Sequence, residues 1–378
     1  MKRKLIIISL LLLLVCSGLG VFYKVKSTTV SAAQYCSGRA MCVLDSNSKR
    51  VLYSKNMYER LPMASTTKIV TAITFLQKCS NLDEYVQIDD KAIGVEGTSI
   101  YLRKGEVLKV KDLLYGLMLR SGNDAATALA IHASSSVENF ANDMTNFAES
   151  IGAKNSNFAN PHGLDNPYHY TTAYDLALIT SYALKNPIFK EIVSTKNYVI
   201  NATNKSDKRY LTNKNRLLSS LDGCCGVKTG FTSKAGRCLV SACERNNFQT
   251  VCVVLNCGPM FEESSTLLNS VYDEYKNTQI IDKNKEIYNE YYIDDNQGKL
   301  YLYTQQDFYY PLRDGEIDNI KIKYNVKLDD ANINAEVGEI KIYFDKYLIK
   351  TLKLYTINKI DRLVDSNTLQ INEILWEE

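Results

Sequence analysis

The chain has few histidines, and its cysteines lack the spacing of common metal sites. Its 378 residues include three histidines, His132, His162 and His169, whose spacing is unlike that of zinc ligands. Ten cysteines are present, but those clustered within residues 224–257 contain no Cys-x-x-Cys pair. We therefore expect no metal and no other cofactor. Packing as small, buried apolar residues, together with one or two disulfides, accounts for the cysteines better than a metal site does.

The chain also lacks a basic run beyond its first segment. Five of its 45 lysines and arginines lie in residues 1–33, which contain no acid, so the remainder holds 40 basic residues against 42 acidic ones. This balance, without a basic cluster, argues against a nucleic-acid-binding protein. There is no internal repeat and no low-complexity linker.

The N-terminal segment, residues 1–33, has the pattern of an export signal. Three basic residues at positions 2–4 precede an apolar run from Leu5 to Phe22, about 18 residues long. This pattern predicts a secretory signal peptide or an uncleaved membrane anchor. Small residues at positions 31–33 would suit cleavage of a signal peptide. Val15 is not the small residue expected before a lipidated cysteine, so Cys16 does not indicate a lipoprotein. We expect the rest of the chain outside the cytoplasm, either secreted or associated with the membrane.

Hydrophobic periodicity divides the remainder into two parts. Strand patterns at residues 40–53 and 226–257 enclose a helical middle, which predicts an α+β domain over residues 34–278 with early and late strands paired in one antiparallel sheet. The predicted helices cover residues 65–79, 111–133 with a break near Ser121-Gly122, 137–151, 172–184 and 264–275. From about residue 280 the alternation typical of strands predicts a β-rich domain over residues 279–378. Its short, acid-ended tail is a poor candidate for a membrane-binding helix.

The first of three short motifs is Ser65-Thr66-Thr67-Lys68. On a helix, residues three apart share a face, so the Lys68 amine can take the proton of the Ser65 hydroxyl. Lysine acts as a base only when burial or nearby positive charge lowers its pKa. The apolar Met63, Ile69 and Val70 favour burial, and Lys228 is the candidate for the nearby charge. A serine at a helix N-terminus also leaves its backbone N–H free to bind an oxyanion.

Two further motifs follow, Ser121-Gly122-Asn123 and Lys228-Thr229-Gly230. A loop hydroxyl at Ser121 suits relay of a proton, and the amide of Asn123 suits a contact to a substrate backbone. Lys228 and Thr229 on a strand form an anion site, while Gly230 permits a substrate backbone to approach the strand edge.

Together, these motifs make the chain resemble the low-molecular-mass penicillin-binding proteins of the D-alanyl-D-alanine carboxypeptidase type. The resemblance covers roughly residues 35–275. It extends to Pro62-Met63-Ala64, Asp124-Ala125-Ala126, Phe158, Asn160-Pro161-His162-Gly163-Leu164-Asp165, Gly226-Val227, Phe231-Thr232 and Ala235-Gly236.

The resemblance implies a penicillin-binding-protein or β-lactamase-like α+β domain followed by a small all-β domain. It implies that Ser65 is the acylated nucleophile, Lys68 the base and Ser121 the proton relay. The implied contacts to substrate are Asn123 to its amide, Lys228 and Thr229 to its carboxylate, Gly230 along its backbone, and an oxyanion hole made by the backbone N–H groups of Ser65 and Phe231.

The resemblance also implies partners and leaves alternatives. The implied substrate is a peptidoglycan stem peptide ending in D-Ala-D-Ala, β-lactams are the implied covalent inhibitors, and contact with a membrane surface stays open. A D,D-endopeptidase of the same mechanism is the main alternative. A class A β-lactamase is disfavoured because residues 155–167 contain no glutamate to activate a deacylating water, and a non-enzymatic wall-binding protein because the serine and both lysines are present. His162 is interpreted as architectural rather than as a general base.

Overall fold

The computed structural model describes residues 36–293, 296–326, 332–357 and 369–371. The helices are Lys68–Lys78 (α1), Val110–Tyr115 (α2), Asn123–Ser134 (α3), Val137–Ser150 (α4), Ala173–Ala183 (α5), Pro187–Ser194 (α6), Leu217–Ser220 (α7) and Met260–Glu274 (α8). Shorter 3₁₀ turns cover Ala64–Thr67, Asp90–Ala92 and Ile317–Asn319, and a π-turn covers Gly116–Arg120.

The strands of the first domain are Ala40–Asp45 (β1), Val51–Lys55 (β2), Tyr85–Gln87 (β3), Val107–Lys109 (β4), Asn197–Ile200 (β5), Arg209–Thr212 (β6), Cys224–Thr232 (β7), Gly236–Arg245 (β8) and Phe248–Leu255 (β9). Those that follow α8 are Lys276–Ile281 (β10), Ile287–Ile293 (β11), Asn296–Tyr303 (β12), Phe308–Leu312 (β13), Ile320–Val326 (β14), Glu336–Phe344 (β15), Tyr347–Thr356 (β16) and Leu369–Ile371 (β17).

One five-stranded antiparallel sheet, in the order β2-β1-β9-β8-β7, organises the first domain. Strand β1 shows how both faces are buried, because successive side chains point to opposite faces. Ala40, Cys42 and Leu44 join the core formed with the helices, whereas Met41 and Val43 join a second core that contains residues of α8. The prediction that early and late strands pair in one sheet is confirmed.

Most predicted helices are observed close to their predicted bounds, including the break between α2 and α3. Two details differ from the prediction, one before Lys68 and one before Ser121. The segment predicted as one helix over residues 65–79 begins with a tighter 3₁₀ turn, so α1 itself starts at Lys68. The segment before Ser121 ends as a π-turn rather than as regular α-helix.

The chain beyond α8 forms the predicted all-β region. Strands β10 and β13 pair as a ribbon, and a six-stranded sheet has the order β11-β12-β16-β15-β14-β17. Tyr324, Ile340 and Leu354 lie in its buried core. Arg50, just before β2, joins the two parts because its guanidinium donates to both carboxylate oxygens of Glu316 at 2.9 Å and to a backbone carbonyl of β13.

The expectation of one or two disulfides stays a prediction. All nine described cysteines are free thiols, and six of them are buried. Burial as small apolar residues therefore accounts for most of them. The predicted leader lies outside the described residues. Within the described residues, no helix is both long and apolar enough to cross a membrane.

Candidate active site

Ser65 lies in the 3₁₀ turn Ala64–Thr67, which leads directly into α1. The side chains of Thr66 and Thr67 donate to the carbonyls of Met63 and Ala64 at 2.6 and 2.8 Å and thereby close the turn. This geometry brings Lys68 Nζ to 3.0 Å from Ser65 Oγ. The three-residue spacing thus places the amine and the hydroxyl in contact, as predicted.

Three oxygen atoms lie within hydrogen-bond distance of the Lys68 amine. Its Nζ lies 2.7 Å from Asn123 Oδ1 and 2.6 Å from the backbone oxygen of His162. Both of these oxygens only accept hydrogen bonds, so when the amine is neutral they take its two N–H groups. The remaining lone pair then faces the Ser65 hydroxyl, which can donate to it.

The surroundings of Lys68 favour that same protonation state. The side chain is fully buried, and this burial is the largest cause that holds its pKa well below the usual value. The positive charges of Lys228 and Lys214 lower the pKa further, and Asp124 opposes them. Burial and the Lys228 charge were both expected from the sequence, whereas Lys214 was not.

Ser121 and Asn123 follow the π-turn. Ser121 is buried and has a left-handed backbone, with φ of 66°. Its neighbour Gly122 donates from its backbone to the carbonyl of Gly116, which closes the turn. The Asn123 side chain lies between Lys68 and the carbonyl of Glu96, to which its Nδ2 donates at 2.5 Å. Asn123 therefore positions the amine, a contact that the sequence did not predict.

Asp124 is a further positioning residue, present in the quoted motif but given no role there. Its buried carboxylate accepts from the Ser99 hydroxyl at 2.5 Å and from the backbone N–H groups of Ile100 and Leu102 at 3.1 and 3.0 Å. These bonds hold the loop that precedes β4 beside Asn123, whose backbone N–H donates to Thr98.

The loop around His162 supports the Ser65 turn. Asn160 Oδ1 accepts from the Gly163 backbone at 2.7 Å and shapes the loop. Gly163 has φ of 92°, and a Cβ there would lie 2.0 Å from the Ala64 carbonyl oxygen, so only glycine fits. Burial lowers the pKa of His162 to about 3, so its imidazole is neutral. His162 contacts Lys68 through its backbone oxygen rather than its ring, which agrees with an architectural role.

Strand β7 carries the third motif along the edge of the sheet. Lys228 is 2% exposed, and its Nζ donates to the Thr229 carbonyl at 2.9 Å. Burial, with help from the Lys214 charge, lowers the pKa of Lys228 to about 7. A Cβ on Gly230 would lie 3.0 Å from Ser65 N, so this strand passes directly beside the nucleophile turn. Phe231 is 66% exposed at the same edge.

The structure thus places parts of all three motifs around one serine. A family model described as D-alanyl-D-alanine carboxypeptidase matches residues 26–258. The chain belongs to this family. A second model, described as the C-terminal domain of penicillin-binding protein 5, matches residues 275–362. The prediction of a serine-type D-alanyl-D-alanine carboxypeptidase of this family is confirmed.

Individual relatives agree with this assignment. The chain is 30% identical over 307 residues to the D-alanyl-D-alanine carboxypeptidase DacF of Bacillus subtilis, covering 79% of this chain and 78% of the relative. It is 31% identical to DacA of Haemophilus influenzae, covering 84% of each. The crystal structure of penicillin binding protein 5 from Haemophilus influenzae superposes with a TM-score of 0.71 and 28% identity over 86% of this chain and 98% of that one. The predicted two-domain fold class is confirmed.

Proposed function

We propose that this carboxypeptidase removes the terminal D-Ala from peptidoglycan stem peptides through an acyl-enzyme at Ser65. The observation that carries the proposal is the contact of 3.0 Å between Ser65 Oγ and the fully buried amine of Lys68. A serine hydroxyl is a weak nucleophile, and a neutral amine in contact with it supplies the missing base.

In the first step, Ser65 Oγ attacks the carbonyl carbon of the penultimate D-Ala while its proton passes to Lys68 Nζ. The carbonyl oxygen becomes an oxyanion, which accepts from the backbone N–H groups of Ser65 and Phe231. When the C–N bond breaks, the leaving amine takes a proton that passes from Lys68 through the hydroxyl of Ser121. Free D-Ala departs and an ester at Ser65 remains.

In the second step, water attacks the ester carbonyl and gives a proton to Lys68. Collapse of the second tetrahedral intermediate returns the proton to Ser65 and releases the shortened peptide as an acid. A β-lactam acylates Ser65 in the same way, but its leaving amine stays tethered after ring opening. The inhibitor therefore remains in the site.

Recognition of the substrate is proposed to occur along β7. Lys228 and Thr229 hold the C-terminal carboxylate, Asn123 contacts the peptide amide, and the backbone at Gly230 lets an extended peptide add to the strand edge. The closeness of Gly230 to Ser65 N supports this arrangement, because a peptide on that edge presents its carbonyl to the turn.

We further propose that the enzyme works outside the cytoplasm, delivered by residues 1–33 as a cleaved signal or as a membrane anchor. We also keep the predicted division into domains 34–278 and 279–378. Its support is that α8 ends at Glu274 and that the two family matches end at residue 258 and begin at residue 275.

The deciding experiment gives the enzyme a free stem pentapeptide and a cross-linked dimer side by side. Released D-Ala is measured by mass spectrometry, and acylation is followed with a fluorescent penicillin. Rapid release of D-Ala from the pentapeptide is expected. Preferential cleavage of the dimer would favour the endopeptidase, and rapid turnover of the penicillin would favour a β-lactamase.

A further inference from the structure

Four of the nine described cysteines form two neighbouring pairs in or against the core that contains residues of α8. We propose that Cys36 with Cys257, and Cys224 with Cys243, are oxidised to disulfides in the exported enzyme. The inference rests on the proposed extracytoplasmic location, because structural disulfides persist where the surroundings are oxidising.

The first pair joins the start of the described chain to the end of β9. The thiols of Cys36 and Cys257 both donate to the same oxygen of Glu263, at 3.1 and 2.9 Å, and lie within 4.8 Å of each other. Cys36 lies four residues before β1 and Cys257 two residues after β9, and these strands are paired. A bond here would tie the N-terminal segment to the sheet.

The second pair lies across the β7–β8 ladder. Cys224 and Cys243 are partners in the antiparallel register, beside an irregularity between Cys224 and Gly226, and the Cys224 thiol donates to the Gly226 carbonyl at 3.4 Å. Partner residues in such a ladder have Cα atoms about 4.5–5.5 Å apart, within the range that a disulfide spans. Cys224 is four residues ahead of Lys228 on the same strand, so a bond here would anchor the strand that carries the third motif.

The remaining described cysteines have other partners or surroundings. Cys225 and Cys238 donate to backbone carbonyls, of Ala242 at 3.5 Å and of Ala235 at 3.8 Å. Cys42 is fully buried, and burial raises the pKa of its thiol to about 12. A buried thiol held in its protonated form is inert, which suits these residues as core packing.

Each cysteine pair can be oxidised by a small disulfide such as oxidised glutathione, which accepts the two electrons. One cysteine of each pair loses its proton and supplies the attacking thiolate. The thiolate attacks the oxidant and releases one small thiol. The partner cysteine loses its proton and attacks the mixed disulfide, which releases the second small thiol.

The test maps disulfides in the enzyme purified from the exported fraction. The protein is denatured without reductant, alkylated and digested, and the peptides are identified by mass spectrometry. We expect two cross-linked peptides, one joining Cys36 to Cys257 and one joining Cys224 to Cys243, while Cys42, Cys79, Cys225, Cys238 and Cys252 are alkylated. Alkylation of all four paired residues, or links between other cysteines, would overturn the proposal.

A second measurement tests for a metal ion at Cys36 and Cys257. The ligand atoms of Cys36, Cys257 and Glu263 all lie within 4.8 Å of one another, so a thiolate-bound zinc ion is the competing interpretation. Elemental analysis of the native protein should find no stoichiometric zinc. Bound zinc, with both thiols alkylated after denaturation, would refute this disulfide.

Variants test whether the proposed disulfides stabilise the folded protein. Cys36→Ser should lower the thermal midpoint by roughly 5–10 °C under oxidising conditions, and reductant should remove most of the difference from wild type. Cys79→Ser is the matched control and should change little. Penicillin labelling of Ser65 is read separately, so absent disulfides with normal labelling contradict this inference alone, and absent labelling with intact disulfides contradicts only the proposed function.

Discussion

The side-chain oxygen of Asn123 lies 2.7 Å from the amine of Lys68, 55 residues earlier in the chain. This contact joins the first two motifs directly. Because an amide oxygen only accepts, it fixes one N–H of the amine and leaves the lone pair for Ser65. The same residue that is proposed to hold the substrate therefore also orients the base.

Ser65→Ala should abolish penicillin labelling and D-Ala release, because it removes the hydroxyl that contacts the Lys68 amine and attacks the carbonyl carbon. The folded protein should persist, as shown by an unchanged circular dichroism spectrum and thermal midpoint. Ser219→Ala, at an exposed serine, is the control and should label normally. Labelling of the Ser65 variant at the wild-type rate would disprove the assignment of the nucleophile.

Lys68→Arg should acylate poorly, by a factor of about 100 or more, because arginine keeps its proton at any relevant pH and loses base catalysis. In the wild type, the lowered pKa of Lys68 means that its neutral fraction rises with pH. The acylation rate should therefore increase with pH through that lowered pKa and then level off. Stopped-flow penicillin acylation measures both effects. Lys154→Arg is an exposed control, and near-normal acylation by the Lys68 variant would contradict the base role.

The wild type should prefer a D-Ala-D-Ala acid over its C-terminal amide by roughly ten- to a hundredfold in kcat/KM, since a charge-assisted contact contributes about 1.5–3 kcal/mol. Burial sets the pKa of Lys228 at about 7, and its charged form dominates below that pH. The preference should thus shrink as the pH rises through about 7.

Thr229→Val tests the same recognition site by substitution. It should slow turnover of the acid much more than turnover of the amide, whereas a folding defect would slow both alike. Thr212→Val, at an exposed position of β6, controls for loss of a strand hydroxyl. Equal cleavage of acid and amide by the wild type would show that Lys228 and Thr229 form no carboxylate site.

Asp124→Ala should lower both activity and stability. It removes the acceptor that holds the Ser99 hydroxyl and the backbone of Ile100 and Leu102, and bonds to a charged group contribute about 1.5–3 kcal/mol each. A drop in kcat with a fall of several degrees in the thermal midpoint is expected. Asp207→Asn, at an exposed position, should change neither. An Asp124 variant with wild-type kcat would show that the loop needs no such anchor.

Arg50→Gln should loosen the contact between the two domains. The guanidinium is mostly buried, pairs with Glu316 and lies 4.5 Å from the centre of the Phe344 ring, so its loss leaves a partly buried carboxylate unpaired. We expect a lower thermal midpoint with unchanged penicillin acylation at low temperature. Arg39→Gln breaks the more exposed pair with Glu59 and should have a smaller effect. Equal effects of the two variants would contradict a joining role for Arg50.

The elements that the sequence did not predict are short. The two-stranded sheets β3–β4 and β5–β6 use strands of three or four residues, and α6 has eight. Such lengths contain too few positions for a periodic pattern to stand out, and their pairing depends on partners elsewhere in the chain. The cysteine pairs escaped prediction for a related reason, since Cys36 and Cys257 meet only because β1 pairs with β9.

What the sequence determined by itself is local. The step of three residues from Ser65 to Lys68 on a helical turn sets their contact, and the alternation along β1 sets which side chains face each core. Tertiary structure alone decided the remainder. The carbonyl of His162, the amide of Asn123 and the charge of Lys228 reach Lys68 from segments far along the chain. Spacing in sequence specifies neighbours within one element, whereas burial and charge at a site depend on which distant elements pack together, and that is what converts an ordinary lysine into a base.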